Sequence, residues 1–324
     1  MKAVSIHEFG LENPLVVEDV PEPEAGPGQV LVKVDRAGVN PLEISIRAGE
    51  HPRAKQMKRP FICGTDIAGV VEAVGEGVED FGPGDRVWGR SVTGGYAEKG
   101  VIPAAGVARL PEAMSFAEGA SLPIPLVTAW HALVIKAEAA PGECVLIQGG
   151  AGGVGHLAIQ LARRMGCRVL ATVSSKEKGD FCREAGADET INYREEDVAG
   201  RVMELTGGRG VEVIVEHIAT ENLNADFGLI ALNGRIVIVG TGTGRGSELT
   251  LSLRPAMGRD ARIFALASGN IGARVPEVLR RLAPLLERGE IKPAIGAELP
   301  LDQAEEAQKL VLSGKFLGKV VLVV

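Results

Sequence analysis

The order of apolar and polar positions along the chain follows two rhythms. From Met1 to about Leu122, short alternating segments recur between turn residues. Gln29 to Arg36 sets Val30, Val32 and Val34 on one face, Gly69 to Val74 reads as a second strand, and Asp85 to Arg90 as a third after the turn Phe81-Gly82-Pro83-Gly84. Successive strand side chains point to opposite faces, so a two-residue apolar period bounded by Gly and Pro predicts half-buried strands. The segment is all-β, of the partly open barrel type.

Beyond Leu122 the rhythm alternates strand with helix. Strands are predicted at Cys144 to Gln148, Arg168 to Val173, Thr190 to Asn192, Val211 to Val215, Arg235 to Val239 and Arg262 to Ala267. Val154, Leu157, Ala158, Leu161, Ala162 and Met165 recur at helical spacing until Gly166 stops them, later helices end at Gly186 and at Gly207-Gly208, and one carries Leu223, Phe227 and Ile230 before a glycine-rich loop. Strand after helix after strand implies a doubly wound parallel sheet. The tail adds an amphipathic helix through Val275, Val278, Leu279, Leu282, Leu285 and Leu286 that closes at Gly289, a second over Ala304 to Leu312, and a strand over Lys319 to Val324. Two domains are expected, one from residues 1–122 with 268–324 and one from 123–267.

Composition narrows the function classes. With 324 residues each domain can bury its own core without disulfide or metal staples. The 42 acidic and 35 basic residues give a net charge of -7, and the basic ones form no stripe, so nucleic acid is not an expected partner. No apolar run approaches the roughly 18 residues of a membrane span, and Met1 to Gly10 lacks the basic and apolar regions of a secretion signal, so no membrane contact and a cytoplasmic location are expected. Cys63, Cys144, Cys167 and Cys182 lie far apart in apolar surroundings and read as reduced, buried thiols. His7, His51, His131, His156 and His217 show no metal-ligand spacing and read as packing or surface residues.

The strongest chemical signal follows the strand at Cys144. Gly149-Gly150-Ala151-Gly152-Gly153-Val154-Gly155 contains GxGxxG, with a strand before it, a helix after it and a second strand closing the unit. A pyrophosphate needs backbone N–H groups at close range and a helix N-terminus aimed at it, and glycine removes the Cβ atoms that would block approach. The competing interpretation is a glycine-rich turn that only permits tight packing. At the end of the next strand, where an NAD enzyme places an acid on the ribose, the chain reads Thr172-Val173-Ser174-Ser175-Lys176-Glu177-Lys178. Ser174 and Ser175 can hydrogen-bond a 2′-phosphate and Lys178 or Lys176 can neutralise it, which favours NADPH. Helix-capping serines followed by solvated lysines would give the same letters.

With this cradle behind a β-rich N-terminal domain, the whole chain resembles the medium-chain dehydrogenase/reductase superfamily, and within it the zinc-free quinone oxidoreductases related to zeta-crystallin. The resemblance rests on Ala37-Gly38-Val39-Asn40-Pro41-Leu42-Glu43, Gly64-Thr65-Asp66-Ile67-Ala68-Gly69-Val70-Val71, Gly82-Pro83-Gly84-Asp85-Arg86-Val87, Gly94-Gly95-Tyr96-Ala97-Glu98, the cradle, Ile191-Asn192-Tyr193-Arg194 and Gly318-Lys319-Val320-Val321-Leu322. It implies an α/β fold with a GroES-like barrel domain for catalysis and a Rossmann domain for NADPH. Zinc-dependent members carry a catalytic cysteine where this chain has Asn40 and a His-Glu pair where it has Thr65-Asp66, and the stretch from Trp88 to Gly95 holds no cysteine, so no metal is expected.

By position, the resemblance puts Asn40 beside the nicotinamide ribose and the substrate, with Thr65 and Asp66 bordering the same cleft. It puts Thr128 against the carboxamide, Lys178 and Tyr193 at the adenosine end, Gly240 and Thr241 under the nicotinamide, and Lys319 at the cofactor from the C-terminal segment. Simpler roles compete: a turn asparagine at 40, a buried hydrogen-bonder at Asp66, an exposed strand residue at Lys319. Two places depart from the family pattern. Glu43-Ile44-Ser45-Ile46 lacks the usual aromatic, and Glu216-His217-Ile218-Ala219 replaces a loop of the Asp-Ser-Val-Gly type.

The expected activity is an NADPH-dependent, metal-free reductase of a small electrophile, a quinone or an α,β-unsaturated carbonyl compound, working as a homodimer joined through the Arg262 to Ala267 edge. The alternatives are an enoyl or alkenal reductase, a zinc-free alcohol dehydrogenase-like enzyme, and a nucleotide-binding protein without turnover.

Overall fold

The computed structural model describes residues 1–242 and 246–324, which divide into two compact units, Met1–Val127 with Ala273–Val324 and Thr128–Gly272. The glycine-rich loop expected after Val239 lies partly outside the described residues.

Strands run in chain order as β1 (Lys2–Ile6), β2 (Val16–Asp19), β3 (Gln29–Val39), β4 (Phe61–Ile62), β5 (Asp66–Val74), β6 (Arg86–Arg90), β7 (Lys99–Pro103) and β8 (Val107–Arg109) in the first unit. The second unit holds β9 (Cys144–Ile147), β10 (Arg168–Val173), β11 (Glu189–Asn192), β12 (Val211–Glu216), β13 (Ile230–Ile238) and β14 (Arg262–Ala265), and the chain returns to the first with β15 (Ile295–Pro300) and β16 (Lys319–Val323).

In the first unit β3 is the organising strand. Val30, Val32 and Val34 are buried at the two-residue period, and β3 pairs antiparallel with β5, β7 and β16. The seven-stranded sheet runs β15-β16-β3-β5-β6-β8 with β7 also on β3, and a second sheet runs β2-β1-β4. Its core joins those valines to Ile67, Val87, Tyr96, Ile102, Val320 and Leu322.

The second unit is a six-stranded parallel sheet in the order β11-β10-β9-β12-β13-β14. That order reverses direction between β9 and β12, the switch point where open α/β sheets take their ligands. Its strands are near-continuous apolar runs such as Cys144-Val145-Leu146-Ile147, as expected of a sheet covered on both faces. The fold class is as the sequence implies, but boundaries differ. The compact units divide about five residues later than the expected 122/123 and 267/268. The last strand of the parallel sheet ends at Ala265, and the one before it begins at Ile230, ahead of the expected Arg235. Leu223, Phe227 and Ile230 fit one helical face, yet the helix ends at Leu229, and Ile230 opens β13 with extended backbone, pairing with Val211.

Candidate active site

The candidate catalytic residues of the first unit assemble where three distant segments meet. Asn40 ends β3's run and precedes the helix Pro41–Arg47, with Pro41 in the first turn, where its missing N–H costs nothing. Glu43, at the third helical position, returns its carboxylate to accept the Asn40 backbone N–H at 2.7 Å. Asp66 opens β5 and Lys319 opens β16.

The hydrogen bonds fix how the Asn40 side chain is turned. Lys319 Nζ, only 2% exposed as a residue, donates to Asn40 Oδ1 at 2.7 Å and to the Val39 carbonyl at 2.6 Å. An ammonium can donate only to the oxygen of an amide, so the Asn40 NH₂ points the other way. It donates to Asp66 Oδ2 at 3.0 Å and, more weakly, to Glu43 Oε1 at 3.4 Å. Both amide hydrogens are thereby committed inside the unit. Asp66 also accepts the Ile124 N–H at 2.9 Å and the Thr65 hydroxyl at 3.3 Å, and Tyr96 donates its hydroxyl to Glu43 at 3.2 Å.

Two buried carboxyls facing one buried ammonium cannot all hold full charge cheaply. Burial first, and then the negative charge of Asp66, push Glu43 up to about 7. Burial also raises Asp66, against the pull of Arg90 and Lys319, and lowers Lys319 against the pull of the two carboxyls. Glu43 is thus the group that takes up a proton near neutral pH. Sequence reading passed over it, although Asn40-Pro41-Leu42-Glu43 carries the spacing of a capping box. Lys319 is neither an exposed strand residue nor free to extend: its amine is spent on Val39 and Asn40. Thr65 is half-buried and lines a small pocket of about 30 Å³ with Leu42, Glu43, Ile46, Met57 and Phe61.

In the second unit the cradle leaves β9 at Gly149, whose φ of 65° only glycine adopts without strain. A Cβ on Gly150 would lie 2.7 Å from Ala171 Cβ, and one on Gly155 would lie 2.8 Å from the Gly150 carbonyl oxygen and closer to that of Gly149. Those two glycines close the turn on itself. Gly152 differs, since a Cβ there would meet only the Gly149 oxygen at 3.5 Å. It is the N-cap of the helix Gly153–Arg164, and no side chain caps that end. Gly152, Gly153, Val154 and Gly155 therefore form an open helix N-terminus fit for an anion.

At the ends of β10 and β11, Ser175 caps the helix Lys176–Glu184 by accepting the Lys178 N–H at 3.3 Å, and Ser174 precedes it. Burial first, and then the positive charge of Arg194, push the Lys178 ammonium below its ordinary range. Arg194 thus sets a second positive charge near Lys178, opposed by the weaker pull of Glu177, and an excess of positive charge of this kind suits a phosphate. In the sequence Arg194 stands out only as the last residue of Ile191-Asn192-Tyr193-Arg194. Tyr193, beside it, is exposed and anchored by its N–H to the Val173 carbonyl. Gly240 and Thr241, just past β13, are tied to the loop after β12: the Gly240 carbonyl accepts the Ala219 N–H, and Thr220 donates its hydroxyl to the Thr241 carbonyl at 2.6 Å. Thr128 is buried and its hydroxyl has no partner among the described residues, an arrangement that suits a polar group of a ligand.

Two family models match the chain: "Alcohol dehydrogenase GroES-like domain" over residues 26–112 and "Zinc-binding dehydrogenase" over residues 153–284. The quinone oxidoreductase of Rattus norvegicus is 38% identical over 330 residues, covering 99% of this chain and 97% of its own. The chain belongs to the quinone oxidoreductase branch of the medium-chain dehydrogenase/reductase superfamily. The Homo sapiens quinone oxidoreductase is 35% identical over 329 residues, covering 99% of this chain and 97% of its own. Among solved members, the Thermus thermophilus quinone oxidoreductase, described with its NADPH complex, aligns with a TM-score of 0.86 at 33% identity over the full length of both chains. The Escherichia coli quinone oxidoreductase complexed with NADPH aligns at 0.91 and 27% identity, again over both full chains.

The zinc named in the second model does not fit the residues of this member. Among the described residues no group of three or more His, Cys, Asp or Glu side chains is placed to hold a metal ion. The oxygen of Asn40 is already occupied by an ammonium, and an amide oxygen is a poor replacement for the thiolate or imidazole that zinc prefers. The four cysteines are free and buried. No helix among the described residues is long and apolar enough to cross a membrane.

Proposed function

We propose that this member of the branch is an NADPH-dependent, zinc-independent reductase acting in the cytoplasm on a small electrophile, a quinone or an α,β-unsaturated carbonyl compound. The observation that carries the reading is the pairing of an open, glycine-built helix N-terminus with the Lys178–Arg194 cation pair at the position where an NAD enzyme has an acid. Gly149 to Gly155 would hold the pyrophosphate, Ser174, Ser175, Lys178, Tyr193 and Arg194 the phosphorylated adenosine, and Thr128, Gly240 and Thr241 the nicotinamide end. Bound NADPH supplies the hydride. The chain's part is to orient the two reactants and exclude water. As negative charge grows on the acceptor oxygen, a neutral donor helps more in the transition state than before it. Thr65 suits that role better than Asn40: Lys319 pins the Asn40 amide so that its hydrogens face Asp66 and Glu43, whereas the Thr65 hydroxyl can rotate away from its 3.3 Å contact with Asp66 to meet an acceptor. Asn40 then acts as the keystone that keeps Asp66 and Lys319 in register behind Thr65.

The test is a steady-state screen of NADPH oxidation against benzoquinones, naphthoquinones and enals, with and without a chelator. Turnover that the chelator leaves unchanged is expected. Binding of NADPH with no turnover on any acceptor would favour a nucleotide-binding protein without catalysis.

A second measurement addresses the cofactor. Two unit charges about 4 Å apart are worth roughly 4 kcal/mol at an effective dielectric of 20, and screening at a partly open site reduces this to about 1–2 kcal/mol. NADPH should therefore bind about ten- to thirty-fold more tightly than NADH. Arg194→Ala should remove most of that preference, and equal affinities in the unaltered protein would sink the assignment.

The proposed assembly is a homodimer through β14. This strand ends the parallel sheet, Ile263 is 42% exposed, and Leu253 and Met257 on the preceding helix are exposed as well. An apolar edge of this kind invites pairing with a second copy. Light scattering at micromolar concentration should give twice the chain mass, and Ile263→Lys should shift it to the monomer. A monomer at the start would refute this assembly.

A further inference from the structure

Behind the cradle, the second unit buries a chain of polar side chains that none of the roles above uses. The Gly149 N–H donates to Thr172 Oγ1 at 3.0 Å, and the Thr172 hydroxyl donates to Gln148 Oε1 at 2.7 Å. Gln148 Nε2 donates to Asp226 Oδ1 at 2.9 Å. The Asp226 carboxyl in turn meets that of Glu216 within hydrogen-bonding reach. Glu216 accepts the Ile218 N–H in a short contact and the Asn222 amide at 3.2 and 3.3 Å. Asp226 and Glu216 are both fully buried.

Ionised carboxylates only accept hydrogen bonds, so two of them in contact must share a proton or repel. The neighbouring donors decide which one holds it. Glu216 receives N–H groups from Ile218 and Asn222, whereas Asp226 Oδ2 receives none among the described residues. With the proton on Asp226 Oδ2, every link donates in one direction, from the first glycine of the cradle to Glu216. The chain crosses β10, β9 and β12, the three strands around the switch point, and ends on the loop that departs from the family pattern.

We propose that the proton shared by Asp226 and Glu216 locks Gln148 and Gly149 in the shape that receives the dinucleotide, which makes Asp226 a positioning residue for the cofactor. The inference rests on the dinucleotide reading given above. Burial first, and then the charge of Glu216, push Asp226 up to about 8, and burial raises Glu216 also. The groups facing the pair are Gln148 from the end of β9, Thr172 beyond it on β10, Asn222 on the same helix as Asp226, and His217 next to Glu216. His217 donates Nδ1–H to the Gln148 carbonyl at 2.7 Å, and burial lowers its pKa, so it is neutral where the pair titrates.

The experiment measures NADPH affinity from pH 7 to 9 in the unaltered protein and in Asp226→Asn. The asparagine amide donates permanently, so it keeps the link to Glu216 and, through its oxygen, the link from Gln148. If only the protonated pair binds, about one molecule in ten is competent one pH unit above the transition, so the Kd of the unaltered protein should rise about tenfold relative to that of Asp226→Asn. Any loss of charge on Lys178 is common to both proteins and cancels in the ratio.

Thermal stability provides a readout that needs no cofactor. A carboxyl whose folded pKa is raised holds its proton in the native state while the unfolded chain releases it. Native stability then falls as pH climbs from about 4 to about 8. That slope should be smaller in Asp226→Asn. Glu216→Gln, which keeps one accepting oxygen for the Ile218 N–H but turns the other into a donor facing the Asn222 amide and the Asp226 proton, should be the more damaging replacement. A flat affinity ratio with unchanged stability slopes would overturn the proposal even though NADPH binds. Absence of NADPH binding at every pH in the unaltered protein would instead overturn the dinucleotide reading, and the positioning role with it.

Discussion

Gly152→Ala is expected to leave the apoprotein nearly as stable as before and to weaken NADPH binding about a hundredfold. The two effects separate because of where the new methyl goes. In the apoprotein it meets one carbonyl oxygen at 3.5 Å, an ordinary contact, and the backbone at Gly152 has φ of -82°, open to any L-residue. Loss of a good N-cap residue should cost about 1 kcal/mol or less. The same methyl projects where a pyrophosphate would have to approach the helix N-terminus. A hydrogen bond to a charged group is worth about 1.5–3 kcal/mol, and losing one or two of them corresponds to roughly a hundredfold in affinity. Gly155→Ala supplies the contrast, since its methyl collides with backbone whether or not a ligand is present, and stability should drop. Calorimetric titration alongside thermal melting checks both. Wild-type affinity in a well-folded Gly152→Ala protein would place the cofactor elsewhere.

Lys319→Met should be the more destructive change for the fold. Methionine fills a similar volume, but it leaves Glu43 and Asp66 facing each other without their ammonium and leaves Asn40 Oδ1 without its donor. Breaking a buried ion cluster by removing one partner costs about 3–5 kcal/mol. The deficit should depend on pH. Lys319 pulls both carboxyl pKa values down, so without it both rise further above their unfolded values. A carboxyl raised in the folded state loses stability as pH climbs from its unfolded pKa to its folded one. The gap between variant and parent should therefore be smallest near pH 4.5 and widest above pH 7, where Glu43 would otherwise be ionised. Denaturant unfolding at several pH values measures this, and a uniform gap below about 1 kcal/mol would show that Lys319 is not the counter-ion of the cluster.

The sequence made the periodic and local features legible. The alternating valines of β3, the apolar strands of the parallel sheet and the glycine cradle are each written within a few consecutive residues, so pattern alone places them. Ile230 failed that approach, because an apolar residue at helical spacing fits a helix face and a buried parallel strand equally well. The sheet decided, through pairing with Val211. The identity of the candidate site residues was partly legible by position, but their partners were not. Nothing near Asn40 announces that its amide oxygen will face Lys319, and nothing near Glu216 announces Asp226. Such pairs exist only once strands dock, and one buried charge can decide which atoms of a polar side chain are left to donate, as Lys319 does for Asn40. Glu43 and Arg194 stand within recognisable motifs, yet their part depends on burial and on neighbouring charge, which no local spacing encodes.

The bond between Asn40 and Lys319 joins residues 279 apart in sequence. During synthesis at roughly 5–20 residues per second, Lys319 follows Asn40 by about 15–55 s. The whole of Thr128–Gly272 emerges in that interval, so the parallel sheet can finish while the segment that carries Asn40, Glu43 and Asp66 still waits for its last strand. During the wait β3 offers β16 an unpaired edge, and Glu43 and Asp66 lack the Lys319 ammonium. The nascent N-terminal segment is therefore the interval's vulnerable species, exposed to wrong strand partners and to chaperones, and β16 is the piece that closes it.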